Sequence, residues 1–266
     1  MTLPPPEHGE LEAWRSLVAG GGHVQELGGA VCTALEQASR SAMFNRVLGL
    51  GLREPATEAG LAAIDGFFAE VGVAYGIALA PQAEPPELPR WLEARGFHRG
   101  YAWTKFRRGV EPPPAKETGL RIEAVGPERA DAFADVFMLA YGAADVLRPL
   151  LERLPSTAGW QCFLAYADGA PAATAALFVA GDVGWLGVAG TLPEFRRRGA
   201  QGALLRTRIA AASACGCSSV VTETGAPVAG KPGNSYRNIV RAGFEPVYVR
   251  ENYLSTPDAD TSGTSA

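Results

Sequence analysis

Residues 188–205 have the residue types and the spacing of a phosphate-binding loop. A predicted strand ends near Thr191, three arginines follow at 196–198, and a predicted helix begins at Gly199. The first N–H groups of a helix have no partner within it and lie at the positive end of its dipole, so they suit a phosphate. Gly199 and Gly202 keep side-chain atoms away from an approaching ligand. Three adjacent positive charges at this point favour an anion site, and the alternative is a solvated helix start.

Residues 193–201, Pro-Glu-Phe-Arg-Arg-Arg-Gly-Ala-Gln, resemble the acyl-CoA signature of the GNAT superfamily of N-acetyltransferases. The core of that signature is Arg or Gln, two residues, Gly, one residue, then Gly or Ala. Arg196 and Gly199 match it, whereas Gln201 replaces the final small residue. The main-chain donors remain, although the bulkier side chain narrows the approach to the ligand. The resemblance extends in element order over residues 120–253.

The resemblance implies that acetyl-CoA binds to this half of the chain. Its pyrophosphate would be surrounded, largely through backbone N–H groups, by Arg197, Arg198, Gly199, Ala200, Gln201 and Gly202. The strand edge at Ala189, Gly190 and Thr191 would bind the pantetheine arm as an added pseudo-strand. In this family the next strand splays away from that edge, and Gly187 and Gly190 suit the bulge that such a splay requires.

The catalytic residues are less clearly marked. Many family members carry a tyrosine proton donor four residues before the final Gly-Phe glycine, where this chain has Ile239. Tyr236 lies one helical turn earlier and is the candidate donor, and the alternative is a tyrosine packed on the sheet. Glu223 ends a predicted strand and is the candidate base for the amine, or else a cap of the following loop.

Two asparagines belong to the same candidate site. Asn234 and Asn238 are candidates to bind the CoA arm, and the alternative is that they cap or stabilise their helix. Asn is a preferred cap at a helix start, where Asn234 lies. Asn238 is in mid-helix, where Asn is unfavourable without a local partner, so a ligand or packing contact is favoured there.

The elements that must position these residues follow the order β-α-α-β-β-β-α-β-α-β-β. The predicted strands are 120–124, 160–167, 172–180, 183–189, 218–223 and a closing pair in 244–253. The predicted helices are 127–141, 144–154, 199–214 and 234–241. This order predicts a mixed α/β fold with a central, mostly antiparallel sheet and flanking helices. The resemblance implies that the fold is GNAT-like, with a splayed parallel pair.

The N-terminal half repeats the later part of this order in a weaker form. Strand 46–50, helix 57–71, strand 74–80, helix 88–95 and a closing strand pair in 97–106 are predicted there. This order favours an internal duplication. The loop at 51–56 has one base offset by one acid and no paired glycines, so we interpret this half as a degenerate GNAT-like domain without CoA. The rival interpretation is an unrelated α/β cap.

Composition places the domain boundaries. We predict a flexible N-terminus at 1–12, a degenerate domain at 13–109, and a linker at 110–118 that contains three consecutive prolines. The catalytic domain would follow at 119–254, with a disordered tail at 255–266 that has almost nothing to bury.

Charge and cysteine content exclude several classes. A net charge of −4 provides no general attraction for nucleic acid or an anionic membrane. No apolar run approaches the length of a bilayer span, so we expect a cytoplasmic protein. Four cysteines are too few for a disulfide framework and, with three histidines, predict no metal site.

These patterns together predict an N-acetyltransferase. It would transfer an acetyl group from acetyl-CoA to a primary amine of a small molecule or peptide, by direct attack in a ternary complex. The alternative is a non-catalytic acyl-CoA-binding or sensing protein, which the Ile239 position favours. A homodimer is compatible with this reading.

Overall fold

The computed structural model describes residues 3–114 and 117–255 of the chain. They divide into two compact units: Phe106–Val247 is the second, and the first combines residues 3–105 with residues 248–255. This division differs from the predicted linker at 110–118, whose described residues form neither helix nor strand. Residues 115 and 116 of that linker, and the predicted tail beyond Ser255, lie outside the described residues.

The elements are numbered in chain order. The helices are α1 Pro5–Val18, α2 Glu58–Val71, α3 Leu88–Ala94, α4 Ala130–Tyr141, α5 Arg148–Glu152, α6 Ala200–Ala214 and α7 Asn234–Arg241. The strands are β1 His23–Leu27, β2 Ala30–Ala34, β3 Arg46–Leu48, β4 Gly76–Leu79, β5 His98–Gly109, β6 Arg121–Val125, β7 Trp160–Ala167, β8 Ala170–Ala180, β9 Val183–Thr191, β10 Ser219–Gly225 and β11 Glu245–Leu254. Within residues 3–114 and 117–255, no helix combines the length and apolar character that crossing a bilayer requires.

The first unit is a mixed sheet with the strand order β1-β2-β3-β4-β11-β5. Strands β3 and β4 are parallel, and β4 and β11 are antiparallel. Helix α2 begins at the cap Thr57 and ends at Gly72, which adopts the left-handed conformation that stops many helices. Its residues Leu61, Ile64 and Phe68 recur at helical spacing and are buried in the core of this unit.

The second unit has the strand order β5-β10-β9-β8-β7-β6, to which β5 contributes its last four residues, 106–109. Strands β6 to β9 form an antiparallel meander, and β9 and β10 pair in parallel. Leu205, Ile209 and Ala212 of α6 are buried in its core, as their helical spacing predicts. This packing fixes the start of α6 beside the end of β9.

The elements predicted for residues 120–241 are confirmed, and so is the mixed α/β fold with a mostly antiparallel sheet in this unit. The exception is the predicted helix 144–154, where a five-residue α5 is flanked by 3-10 turns at 145–147 and 154–156. Pro149 and Pro155 explain the interruption, because proline removes a helix donor and clashes with the preceding turn.

The two closing strand pairs, predicted in 97–106 and 244–253, are wrong. Each is one continuous strand, β5 and β11. Gly100 is not a turn residue: a Cβ there would lie 2.4 Å from the Leu254 side chain, so this glycine provides room for a neighbouring strand. Asn252 lies within β11, and its side-chain amide donates to the backbone carbonyl of Tyr101 in β5 at 2.9 Å.

The N-terminal residues also differ from the prediction. Helix α1 begins at Pro5, where we expected a flexible segment, and it buries Leu11 and Trp14 together with two acids. The hairpin β1-β2 was missed. Its two-residue turn consists of Gly28 and Gly29, both at positive φ, which is a recognised hairpin signal.

The buried acids of α1 belong to an ion cluster within the first unit. Glu10 accepts from Lys105 at 2.7 Å and from Arg250 at 2.8 Å, and it lies 3.4 Å from Arg46. Glu7 pairs with Arg250 at 3.0 Å. Burial raises the pKa of Glu10, but the cations of Arg250, Lys105 and Arg46 outweigh burial and hold that pKa well below its usual range.

We predict that Glu10→Gln lowers the free energy of unfolding by about 3–5 kcal/mol, because it leaves buried cations uncompensated. The folded-state pKa of Glu10 is depressed, so its contribution is present above the unfolded pKa of about 4.3 and is lost as pH falls through the folded pKa. Denaturant unfolding at several pH values measures both effects, and the variant should lose part of the acid dependence. Glu12→Gln, at a partly exposed pair with Arg15, is the control. Equal stability of Glu10→Gln and wild type would contradict the prediction.

Candidate functional site

Helix α6 begins without a side-chain cap. Its N-cap is Gly199, in the left-handed region at φ 88°, and glycine has no oxygen to accept from the first turn. Arg197 is also left-handed, at φ 64°. Left-handed residues close together in a loop turn successive N–H groups toward one concavity, which is a common anion site. The loop at 197–202 therefore offers main-chain donors to an anion. These donors fit the CoA pyrophosphate that the resemblance implies at this loop.

The three arginines of this loop are exposed. Arg198 pairs with Asp168 at 2.8 Å and lies over the Phe195 ring at 5.7 Å, so one of the three charges is partly compensated. Asp168 raises the pKa of Arg198 through a hydrogen bond and its charge. The exposure of the arginines is compatible both with an anion site and with a solvated helix start.

The side chain of Gln201 is directed toward α7. Its Oε1 accepts from Asn238 Nδ2 at 2.8 Å. This contact ties the first turn of α6 to α7 and gives Asn238 the packing partner that its mid-helix position called for. Asn238 also accepts from Arg241 at 3.2 Å.

A β-bulge lies where we expected one in β9. Thr174 pairs with Gly190 and Ala176 with Gly187, so two residues of β9 face a single residue of β8. Val188, inside the bulge, has φ 44°. A β-branched residue rarely adopts this conformation, which costs about 1–3 kcal/mol and persists where the surroundings impose it.

Tyr141, the last residue of α4, covers the edge of β9 beyond the bulge. Its hydroxyl donates to the carbonyl of Ala189 at 2.6 Å, and a Cβ at Gly190 would lie 3.1 Å from its ring. Burial raises the pKa of Tyr141, and the nearby charge of Arg196 lowers it to a smaller extent. The sequence did not indicate this contact with the candidate pantetheine edge.

Strands β9 and β10 separate directly after a short parallel pairing. The register runs from Val183 with Ser219 to Trp185 with Val221. Beyond this pairing, the hydroxyl of Thr222 donates to the carbonyl of Leu186 at 2.7 Å. A side chain thus bonds to β9 where a backbone N–H of β10 would do so in a continuous ladder. The predicted splay is therefore present, and it opens beside the bulge.

Glu223 lies at this opening and is held by an indole. Trp185 Nε1 is 3.2 Å from both carboxylate oxygens of Glu223. Trp185 is itself buried, and a Cβ at Gly187 would lie 1.8 Å from its ring. Only glycine at 187 admits the indole that orients this carboxylate.

The remaining predicted residues lie on α7. The Tyr236 ring packs edge-on against Phe106 with centroids 5.0 Å apart, which agrees with the packing alternative for this residue. The cap of α7 is Gly233, so the interpretation of Asn234 as a cap is wrong. Asn234 Oδ1 instead accepts from Arg237 at 2.6 Å.

The comparisons with known proteins identify this unit. Residues 106–226 match the family model described as an acetyltransferase (GNAT) domain. The match covers most of the second unit. No curated protein matches the chain in sequence.

Solved structures extend the likeness to the fold of the whole chain. A GCN5-related N-acetyltransferase from Kribbella flavida is 20% identical with a TM-score of 0.68, covering 97% of both chains. One from Sphaerobacter thermophilus is 18% identical with a TM-score of 0.60, covering 82% of this chain and 75% of its own. A tandem GNAT protein from the clavulanic acid biosynthesis pathway is 16% identical with a TM-score of 0.55, covering 94% of this chain and 95% of its own. At these identities the likeness concerns the fold, including that of a tandem protein.

The loop before α2, at 51–56, differs from the loop before α6. Thr57 caps α2, since its hydroxyl accepts from the N–H of Gly60 at 3.0 Å. The first turn of α6 has no such side-chain cap. The loop at 51–56 is occupied by its own chain: the N–H of Glu84 donates to Gly51 at 2.8 Å, and that of Ala56 donates to the Glu84 carbonyl at 2.7 Å. A Cβ at Gly51 would lie 2.6 Å from backbone.

Arg208 is a further residue of the second unit that sequence reasoning missed. It lies on the buried face of α6, 2% exposed, and its Nη1 donates to the carbonyls of Ala176 at 3.0 Å and Gly187 at 3.3 Å. A signal was present, because Arg208 follows Leu204 by four residues and so falls on the apolar stripe of the helix.

Proposed function

We propose that this protein is an N-acetyltransferase that transfers an acetyl group from acetyl-CoA to a primary amine of a small molecule or peptide. The GNAT fold supports acyl transfer in general. The observation that carries the finer proposal is the uncapped, glycine-initiated start of α6 beside a bulged and splayed β9. One element offers donors to a pyrophosphate, and the other offers a strand edge to the pantetheine arm.

Binding would use main-chain groups. The N–H groups of residues 197–202 would hold the pyrophosphate at the positive end of α6, with the arginines adding charge at the rim. The edge at Ala189, Gly190 and Thr191 would hydrogen-bond the pantetheine arm. Tyr141 must then release the Ala189 carbonyl, or share it.

The peptide before Val188 would face the acyl group. The Leu186 carbonyl is directed to β10, since it accepts from Thr222. Successive carbonyls of a strand alternate in direction, so that of Gly187 faces β8, and the Val188 N–H of the same trans peptide faces the opening. A donor at that place would stabilise negative charge that develops on the acyl oxygen.

Proton transfer would use two side chains. Glu223, oriented by Trp185, would accept the proton of the amine directly or through water. Tyr236 would donate to the departing thiolate if its hydroxyl reaches the sulfur. Acetyl-CoA itself supplies the activated thioester, so the amine would attack directly, with no covalent enzyme intermediate.

The alternative is a protein that binds acyl-CoA without turnover. Ile239 at the usual tyrosine position and the packing of Tyr236 on Phe106 favour it. A thiol-release assay with small amines, polyamines, aminoglycosides and peptide N-termini separates the two functions. Steady CoA release with an amine supports transfer, and tight binding with no release from any amine supports the sensor.

We also propose that nucleic acid is not a partner, and that a homodimer is one candidate assembly.

We predict that Gly199→Glu weakens acetyl-CoA binding by roughly 100-fold or more, because a carboxylate would enter a site for phosphate. Gly199→Gln is the matched control, since it brings the same size and the same left-handed strain without charge. Calorimetry should show a clearly larger loss for Glu than for Gln. Equal affinities of the two variants would contradict an anion site at this helix start.

We predict that Glu223→Gln lowers kcat by roughly 10²- to 10⁴-fold, as expected for loss of a general base. An amide cannot accept the proton of the amine. Steady-state kinetics measure the effect. Glu245→Gln, on an exposed residue of β11, is the control and should behave as wild type. An unchanged rate for Glu223→Gln would exclude this base.

We predict that Tyr236→Phe lowers kcat by roughly tenfold to a thousandfold and leaves acetyl-CoA binding nearly unchanged. The ring contact with Phe106 is retained in the variant, so a packing role alone would leave the rate intact. Steady-state kinetics together with calorimetry make the measurement. Full turnover of the Phe variant would show that Tyr236 is structural.

A further inference from the structure

A buried cation lies directly beneath the bulge of β9. Arg208 donates through Nη1 to the carbonyls of Ala176 and Gly187, the paired residues at one end of the bulge. Its Nε donates to the carbonyl of Leu204 at 3.1 Å. Among the residues that the structure describes, Arg208 forms no ion pair, so its bonding partners are backbone carbonyls alone.

This arrangement is costly to maintain. Burial lowers the pKa of Arg208 to about 9, which still leaves it protonated at neutral pH. A buried charge without a counter-ion is disfavoured unless hydrogen bonds compensate it. A leucine or methionine at this position would fill the same space between α6 and the sheet without that cost. The cation therefore serves the carbonyls that it contacts.

One of those carbonyls belongs to the peptide that faces the opening between β9 and β10. The Gly187 carbonyl and the Val188 N–H are the two ends of one peptide unit and point in opposite directions. A cation at the carbonyl draws electron density from the amide, so the N–H at the other end becomes a stronger donor. The bond from Arg208 thus acts on a group that the side chain does not touch.

The same bonds hold a strained backbone. Val188 keeps φ 44° in spite of its branched side chain, so its neighbours must impose that conformation. Arg208 fixes the peptide before Val188, and the hydroxyl of Tyr141 fixes the carbonyl of Ala189 after it.

We propose that Arg208 is a positioning residue for acyl transfer: it holds the bulge of β9 and, through the Gly187–Val188 peptide, strengthens the Val188 N–H as a donor to the acyl oxygen. The proposal rests on the function proposed above, because it requires a thioester at the opening. A merely structural Arg208 would tie α6 to the sheet and would leave the bound thioester carbonyl unaffected.

The test is isotope-edited infrared spectroscopy of acetyl-CoA labelled with ¹³C at the acyl carbonyl. Bound to the wild type, the carbonyl band should move to lower frequency than in solution, since a donor on the oxygen weakens the double bond. Arg208→Met, similar in length and uncharged, should lose about half of that shift or more. Its kcat should fall roughly 10- to 100-fold, which is less than the loss of kcat when a donor to the acyl oxygen is removed altogether. The KM for acetyl-CoA should stay within about threefold.

Two further variants keep the result interpretable. Arg208→Lys retains a cation with a single donor group and should give an intermediate shift. Ile209→Val alters the same buried face of α6 without touching the bulge and should give the full wild-type shift. If Arg208→Met does not fold, the comparison of Arg208→Lys with the wild type takes its place.

The outcomes separate this inference from the proposed function. A folded Arg208→Met, or failing that Arg208→Lys, with the full wild-type shift overturns the role of Arg208 and leaves acetyl transfer intact. A wild-type protein that does not bind acetyl-CoA overturns the proposed function and this inference with it. A shift that falls in the order wild type, Lys, Met, with Ile209→Val unchanged, supports the inference.

Discussion

The unpaired N–H groups at the start of α6 are the constraint on which the second unit depends. A helix start needs an acceptor, and Gly199 supplies none from its side chain. In the first unit the corresponding need at α2 is met by Thr57, and the loop at 51–56 is bonded to its own chain. The starts of α2 and α6 therefore meet the same requirement differently, since α2 has the Thr57 side chain as a cap and α6 has no side-chain cap.

The rest of the second unit holds that helix start beside a distorted strand. The buried stripe of α6 packs on the sheet, and Arg208 bonds from the same helix to the bulge of β9. Because β10 separates from β9 after Trp185, the bulge borders an opening instead of a continuous ladder. Glu223 lies at that opening, oriented by the indole of Trp185. Donors, strand edge and carboxylate are thus brought together by one helix-sheet contact and one splay.

Much of this could be predicted from the sequence, because periodicity and glycine placement act locally. The loop before Gly199 and the glycines around the bulge were readable in this way. The contacts of Arg208 and Tyr141 were not, since they depend on which backbone carbonyls a distant side chain reaches. The flexible N-terminus predicted at 1–12 was wrong for a similar reason, because Glu7 and Glu10 are buried in ion pairs with cations distant in sequence.

Hydrogen exchange of the full chain with and without acetyl-CoA tests the central claim most directly, because it reports main-chain N–H groups in both units at once. Acetyl-CoA should slow exchange at residues 197–203 and near the edge at 188–191, where free or strained amides would gain acceptors. No change is expected at residues 51–60, where the amides of Leu52, Ala56 and Gly60 are already bonded to their own chain. Protection at 51–60, or unchanged exchange at 197–203 with ligand bound, would contradict it.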